Sequence, residues 1–482
     1  MHTLKNQASG ALLLTGLALL SSCESADDAT IAPNIIFISI DSLRPDHLGC
    51  YGYEKDTSPY IDSLASRGVR FRNALSTTSW TLPSHASMLT GLLGPTHGLV
   101  DNGMSLSPDN LTLAELLGRA GYETAGFYGG PYLHPTFGLG QGFDIYRSCM
   151  TTTPDAADDD LIRGGASHPD GPSHHDITGP RTRDEIRGWA EARTQESPYF
   201  LFIHFWDVHY DYSAPKEYEA MFVDPNYEGE ADGRLMTNDA INNKMSPADL
   251  AHVKALYDAE IRFTDSIIEE ILSDLQERGM LENTAIVLTA DHGEEFFDHG
   301  AKGHNKSLFD EVLRVPLIVV WPEEIKSARV LEDQVQIVDL MPTMASFAGI
   351  SKKLAVQGSD LSPLLAGESM GAREALSGLF IDGQSLRALR SNKRKVIRPD
   401  DEAQAVYVDL TKNPTEAFEG FITPNTGHSQ SLRQQGEAEL RSAVQRTNKM
   451  REALNMRPPG ALEVSPEMLQ QLKDLGYIGE HK

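Results

Sequence analysis

The residues able to do chemistry sit at the ends of apolar runs. NIIFISI (Asn34–Ile40) stops at Asp41, and TAIVLTA (Thr284–Ala290) stops at Asp291 and His292. A third run, YFLFIHF (Tyr199–Phe205), is followed at once by Trp206-Asp207-Val208-His209. Carboxylate oxygens and imidazole nitrogens are the donors that a divalent metal takes from a protein. A hydroxyl completes the set in SWTLPSHASMLTG (Ser79–Gly91), where Pro83 suits the first turn of a helix and Gly91 its stop. Thr81 therefore lies just before a helix amino terminus, where a hydroxyl either caps the helix or faces an anion.

Elements of one kind could bring these residues together. Runs apolar at nearly every position read as strands buried on both faces, the habit of parallel sheets. Ligands in such sheets bind beyond the carboxyl ends of the strands. The expected fold is therefore α/β, a large mostly parallel sheet flanked by helices. Thr57–Arg67 reads as a short helix ended by Gly68. Ser246-Pro247-Ala248-Asp249 opens a long one, with cap, first-turn proline and acid in order, and Gly279 closes it. Its apolar stripe reads as core.

With 482 residues the chain exceeds one ordinary domain. The texture changes near Gly371, where a basic run (LRALRSNKRKVI, Leu386–Ile397) and an alternating one (AVYVDL, Ala405–Leu410) predict a small α+β unit. The expected division is a catalytic domain over 33–370 and a carboxyl-terminal subdomain over 371–482. Residues 151–185 read as a polar surface insertion and 216–243 as an acidic lid. A formal charge of −27 argues against nucleic acid as a partner.

The amino terminus carries an address. Lys5 precedes the apolar Ala11–Leu20, which is too short to span a bilayer. The tetrapeptide Leu20-Ser21-Ser22-Cys23 resembles the bacterial lipoprotein box. It implies a signal peptide over 1–22, a lipid on Cys23 and a tether over 23–32. The expected location is the bacterial cell envelope, lipid-anchored, with Glu24 pointing to the outer membrane. Cys50 and Cys149 remain, and their pairing is left open.

The Ser79–Gly91 segment resembles the sulfatase signature, in which Cys or Ser is followed by any residue, Pro, Ser and Arg, and later by Thr-Gly. Ile36–Tyr53 is similar to the opening strand and loop of that family. ADHGEEFFDHGAKGHNKSLFDEVLRVP (Ala290–Pro316), VDLMPTMASFAGI (Val338–Ile350) and LKDLGYIG (Leu472–Gly479) match it as well. The chain is identified as a member of the sulfatases, within the alkaline phosphatase superfamily. The resemblance implies a divalent metal (zinc, manganese or calcium, one ion or two) held by Asp41, Thr81, Asp291 and His292. Asp207, His209 and His304 are candidates for a second ion.

Three departures shape the expected chemistry. Thr81 stands where sulfatases carry the residue converted to formylglycine, and threonine cannot become that aldehyde. His85 stands in place of the signature arginine, and Ser42 in place of a second acidic ligand. Relatives with a threonine nucleophile, the nucleotide pyrophosphatases/phosphodiesterases and lipoteichoic acid synthases, act on phospho-groups. The resemblance thus implies an ester hydrolase with Thr81 as nucleophile and His209 and His304 as further catalytic residues. His85, Asn305 and Lys306 are expected to bind an anionic ester substrate, Asn305 standing where sulfatases keep a lysine. Phosphate or phosphonate esters are favoured over sulfate esters on chemistry. A sulfatase acting despite the threonine, a phospho-group transferase and a non-catalytic binding protein are the alternatives.

Overall fold

In the computed structural model the three apolar runs are neighbouring parallel strands. The structure describes residues 32–150, 167–168, 171–172, 177–194, 196–381, 383–399, 405–422 and 427–461. Cys23, the signal peptide, nearly all of the tether and Leu472–Gly479 lie outside these residues, as does most of the polar insertion.

The main sheet has eight strands: β1 (Asn34–Ile40), β2 (Val69–Leu75), β3 (Glu123–Tyr128), β4 (Ile145–Ser148), β5 (Tyr199–Phe205), β6 (Thr284–Ala290), β7 (Arg314–Val320) and β8 (Arg329–Gln336). Their order is β8-β2-β7-β6-β1-β5-β3-β4. Only β7 runs against its neighbours, β2 and β6. β1 lies between β6 and β5, parallel to both, with Ile40 opposite Ala290 on one side and Phe205 on the other. Every residue of β5 and β6 is buried, as two-sided coverage requires. This register makes Asp41 and Asp291 leave adjacent strands at one level.

Five helices matter to the site: α1 (Pro59–Ala65), α2 (Thr81–Thr90), α3 (Gly179–Ala192), α4 (Pro247–Glu277) and α5 (Gly427–Leu454). The capping box expected for α4 is present, Ser246 accepting from the Asp249 N–H and Asp249 from the Ser246 N–H. Its buried stripe does more than fill the core. Tyr257 donates to the Ser42 carbonyl (2.7 Å) and accepts from the Arg44 N–H (2.9 Å), pinning the loop that follows Asp41.

A second, antiparallel sheet contains β9 (Ala375–Ile381), β10 (Gln384–Arg390), β11 (Arg394–Pro399) and β12 (Val406–Asp409), and α5 packs on it. The basic run is thus a pair of strands. β9 reaches the loop before Thr81: Ser377 Oγ donates to the Ser76 carbonyl (2.8 Å) and the Gly378 N–H to Thr77 (2.9 Å). Buried Lys395 on β11 bridges Asp310 and Glu416, and Arg390 on β10 also holds Asp310. Among the described residues no helix is long and apolar enough to cross a membrane.

Candidate active site

Asp41, Asp291 and His292 converge beyond the carboxyl ends of β1 and β6, all buried. Helix α2 begins at Thr81 itself, one residue earlier than expected, after an extended Trp80. Ser84 on α2 and Ser76, just after β2, both donate to the Asp291 carbonyl, at 2.7 and 2.5 Å, and so tie the helix and the loop before it to the end of β6. Thr81 Oγ1 lies 3.4 Å from Asp41 Oδ2 and 3.1 Å from His292 Nε2. His292 Nε2 is 3.4 Å from Asp291 Oδ2 and 3.7 Å from Asp41 Oδ1. Gly293 lets this loop close, because a Cβ there would meet the Glu311 carbonyl oxygen at 2.0 Å.

The donors fit a divalent metal on three counts. A tetrahedral ion with bonds of about 2.0–2.1 Å separates its ligand atoms by about 3.3 Å, close to the spacings above. Asp291 Oδ2 is buried with no hydrogen-bond donor. His292 Nδ1 donates to the Gly293 carbonyl (2.9 Å), turning Nε2 and its lone pair toward the carboxylates. Burial pushes Asp41 up to about 6, and burial plus the Asp41 charge raises Asp291. Burial opposes protonation of His292, but the two carboxylates outweigh it and raise its pKa. A cation among them offsets the repulsion that lifts both acids.

Ser42 sits between the two carboxylates. Its N–H donates to Asp291 Oδ1 (3.1 Å) and its Oγ to Asp41 Oδ1 (2.9 Å), so it ties the two carboxylates together. Ser42 adopts φ 56°, a left-handed conformation that costs a non-glycine residue energy and aims both donors inward.

His304 and His209 stand over this cluster. The His304 ring centroid is 4.4 Å from that of His292 and 5.0 Å from that of His209. Sequence reasoning missed the group that orients His304. Glu294 is fully buried, with Oε1 accepting from His304 Nδ1 (3.1 Å) and Oε2 from the Tyr212 hydroxyl (3.0 Å). Burial pushes its carboxyl up to about 7. The spacing Asp-His-Gly-Glu (Asp291–Glu294) is visible in the sequence but says nothing of which histidine the glutamate meets.

Other expected residues have partners of their own. Asp207 is not with the metal donors: its carboxylate takes the Thr178 hydroxyl (2.6 Å) and the Gly179 N–H (2.9 Å), capping α3. A helix terminus offers unpaired N–H groups, and Asp207 is captured by them. His85 is turned into the interior. It lies one turn below Thr81, fully buried, with Nδ1 donating to the Thr81 carbonyl (2.9 Å) and Nε2 accepting from Ser39 Oγ (3.0 Å). Burial takes its pKa down to about 3, so the ring is neutral. Asn305 is held by its N–H to the Ser79 carbonyl (2.9 Å), and Lys306 is exposed, with Nζ on the Lys302 carbonyl (2.6 Å). Asp298 pairs with Arg44 and His299 with Glu311, both as loop structure. Cys50 and Cys149 are free thiols, with Cys50 half-buried.

A sulfatase profile matches residues 33–350, and a profile for the carboxyl-terminal region of N-sulphoglucosamine sulphohydrolase matches 296–441. An arylsulfatase of Clostridium perfringens is 27% identical over 434 residues, spanning 80% of this chain and 89% of that one. An N-acetylglucosamine-6-O-sulfatase of Bacteroides thetaiotaomicron is 26% identical, spanning 76% of each. A solved 2-O GAG sulfatase superposes with a TM-score of 0.69 at 19% identity, covering 91% of this chain and 96% of its own. The phosphonate monoester hydrolase of Agrobacterium radiobacter gives 0.64 at 20% identity, covering 90% and 98%. The chain belongs to the sulfatase family and is an ester hydrolase of the alkaline phosphatase superfamily.

Proposed function

We propose that this protein hydrolyses phosphate or phosphonate esters, with Thr81 as the nucleophile. The observation that carries this reading is the position of Thr81 Oγ1, between Asp41 Oδ2 and His292 Nε2 at the start of α2. A threonine hydroxyl has no route to a hydrated aldehyde, so the attacking atom is the side-chain oxygen itself.

Asp41, Thr81, Asp291 and His292 would hold a divalent ion, which supplies positive charge that acidifies the hydroxyl and neutralises the phosphoryl oxygens. The chain's own groups do the rest. Asp41 Oδ2 accepts the hydrogen bond and then the proton of Thr81, while His292 would hold the ion through Nε2. The N–H groups of the first turn of α2 face the oxyanion. Thr81 Oγ1 forms a bond to phosphorus as the bond to the leaving oxygen breaks, and His304 or His209 gives that oxygen a proton. Water then attacks phosphorus, returning Thr81 and releasing the acid. Glu294 holds His304 in place for both steps.

The domain limits and the lipid anchor belong to the same reading. A catalytic domain over 33–370 and a subdomain over 371–482 would follow a tether joined to lipid at Cys23 in the bacterial envelope, at the outer membrane. Replacing Cys23 by alanine should move the protein from the membrane to the soluble fraction; a variant still sedimenting with membranes would refute the anchor.

Sulfate esters are the second reading, favoured by the arylsulfatase and N-acetylglucosamine-6-O-sulfatase names of the relatives. The two separate in one assay. Nitrophenyl sulfate, phosphate, phosphodiester and phosphonate substrates are compared on the metal-loaded protein and on Thr81→Ala. Turnover of phospho-esters that Thr81→Ala abolishes, with a phosphoryl adduct on the Thr81 peptide after acid quench, is the expected result. Faster turnover of sulfate refutes the phospho-ester assignment, and full activity in Thr81→Ala refutes the nucleophile.

A further inference from the structure

His204 is the sixth residue of β5 and reads in the sequence as part of an apolar strand. Its side chain is fully buried. Nδ1 lies 2.8 Å from the Gly129 carbonyl, which has no hydrogen to give, so Nδ1 carries the proton. In the neutral ring Nε2 then presents a lone pair. No hydrogen-bond donor meets that lone pair.

It points instead at anions. Asp41 Oδ2 is 3.6 Å away, too far and too poor in hydrogens for a hydrogen bond. Asp291 Oδ2, also buried without a donor, belongs with His204 and His85 to a group whose ligand atoms all lie within 4.8 Å. His204 Nε2 and Asp291 Oδ2 are thus two buried electron-pair donors with no hydrogen-bond donor between them, and Asp41 Oδ2, which the Thr81 hydroxyl meets at 3.4 Å, lies 3.6 Å from His204 Nε2. Polar atoms buried this way are costly unless something positive stands between them. His85 cannot fill that role, because both its ring nitrogens are engaged by Thr81 and Ser39.

We propose that His204 is a direct ligand of the active-site ion through Nε2, joining Asp41, Thr81, Asp291 and His292. This rests on the reading of Asp41, Asp291 and His292 as the metal centre, and adds a second imidazole on the side of the site facing β5. A shell with two imidazoles is suited to zinc and neighbouring transition metals rather than to calcium, which takes oxygen donors. The Gly129 carbonyl then acts as the outer partner that fixes the ligand's tautomer.

The test counts imidazoles directly. Zinc-loaded full-length protein is examined by X-ray absorption at the zinc edge, and zinc affinity is measured by chelator competition. His204→Phe keeps the ring without the lone pair, His204→Gln is the smaller polar alternative, and Asp291→Asn serves as the control. Metal-free melting curves report whether each variant folds. The expected result is a wild-type spectrum with at least two imidazoles, one fewer in either folded His204 variant, and affinity weaker by about tenfold or more. A wild-type spectrum with one imidazole overturns the proposal without need of any variant. So does an unchanged spectrum and affinity in a folded His204 variant while Asp291→Asn loses zinc, and in both cases the metal centre survives. A wild-type protein that takes up no zinc, manganese or cobalt overturns the metal centre and the proposal with it.

Discussion

Replacing Asp291 by asparagine should change the sign of its effect with metal. The Asp41 and Asp291 donor atoms lie within 4.8 Å of each other, fully buried. At an effective dielectric constant of about 20, two unit charges at that distance repel by about 3 kcal/mol. The asparagine oxygen keeps the Ser42 and His292 N–H bonds now made to Asp291 Oδ1, and its amide nitrogen takes the place of Oδ2, which has no hydrogen-bond donor to lose. Without metal the variant should therefore be more stable than wild type at pH 8. The repulsion is stronger at any shorter separation, and a proton shared by the two acids relieves part of it, so the net gain is about 3 kcal/mol. For a chain of 482 residues, the unfolding entropy of about 2.1 cal/mol/K per residue turns this into a rise of about 3 °C. With metal the order reverses. An ion at a thousandfold excess over its dissociation constant stabilises wild type by about 4 kcal/mol, and the variant should gain almost none of it. Scanning calorimetry in chelator and in excess zinc or manganese measures both shifts. An Asp291→Asn protein that melts below wild type in chelator, yet gains the same increment from metal, would refute the reasoning.

Other perturbations read other parts of the molecule. Glu294→Gln disturbs the carboxylate that holds His304, so kcat should fall by about 10- to 100-fold with KM little changed; an unaltered kcat in steady-state kinetics would remove Glu294 from the positioning of that ring. Asp265 accepts the Tyr60 and Ile61 N–H groups at the start of α1, and burial outweighs them, pushing its carboxyl from 3.8 up to about 7. The folded state holds that proton over a range where the unfolded chain has lost it. Its stabilising contribution is thus full below pH 4 and disappears as pH rises through 7. Asp265→Asn should flatten the pH dependence of urea denaturation across that window, and an identical slope in wild type and variant would contradict the shift. Lys395→Met leaves buried Glu416 without its cation and should cost about 3–5 kcal/mol in denaturant melts; a loss below about 1 kcal/mol would mean the bridge is energetically idle.

Local pattern determined much of this protein. The runs at 34–40, 199–205 and 284–290 are strands because unbroken apolar sequence suits burial on both faces, and the acids that end two of them reach the site. Ser246 and Asp249 set the start of α4 because a capping box is complete within four residues. Even the burial of His85 could have been read from its spacing: four residues after Thr81 on a helix is the same face one turn on.

Tertiary structure decided which of the delivered groups work together. Asp207 and His209 share one loop, yet the terminus of α3, some 30 residues earlier in the chain, takes Asp207 while His209 meets His304 edge to face. His204 looks like any strand residue until the register sets it opposite Ser39 and turns its lone pair toward Asp41. Ser42 looks like a lost ligand until its two hydrogen bonds to Asp41 and Asp291 are seen. In each case the deciding partner lies on another element, brought near by strand register and helix packing. Helix and strand periodicities act over a few residues, whereas these pairings link positions up to about 250 apart, and only the packed sheet brings them within bonding distance.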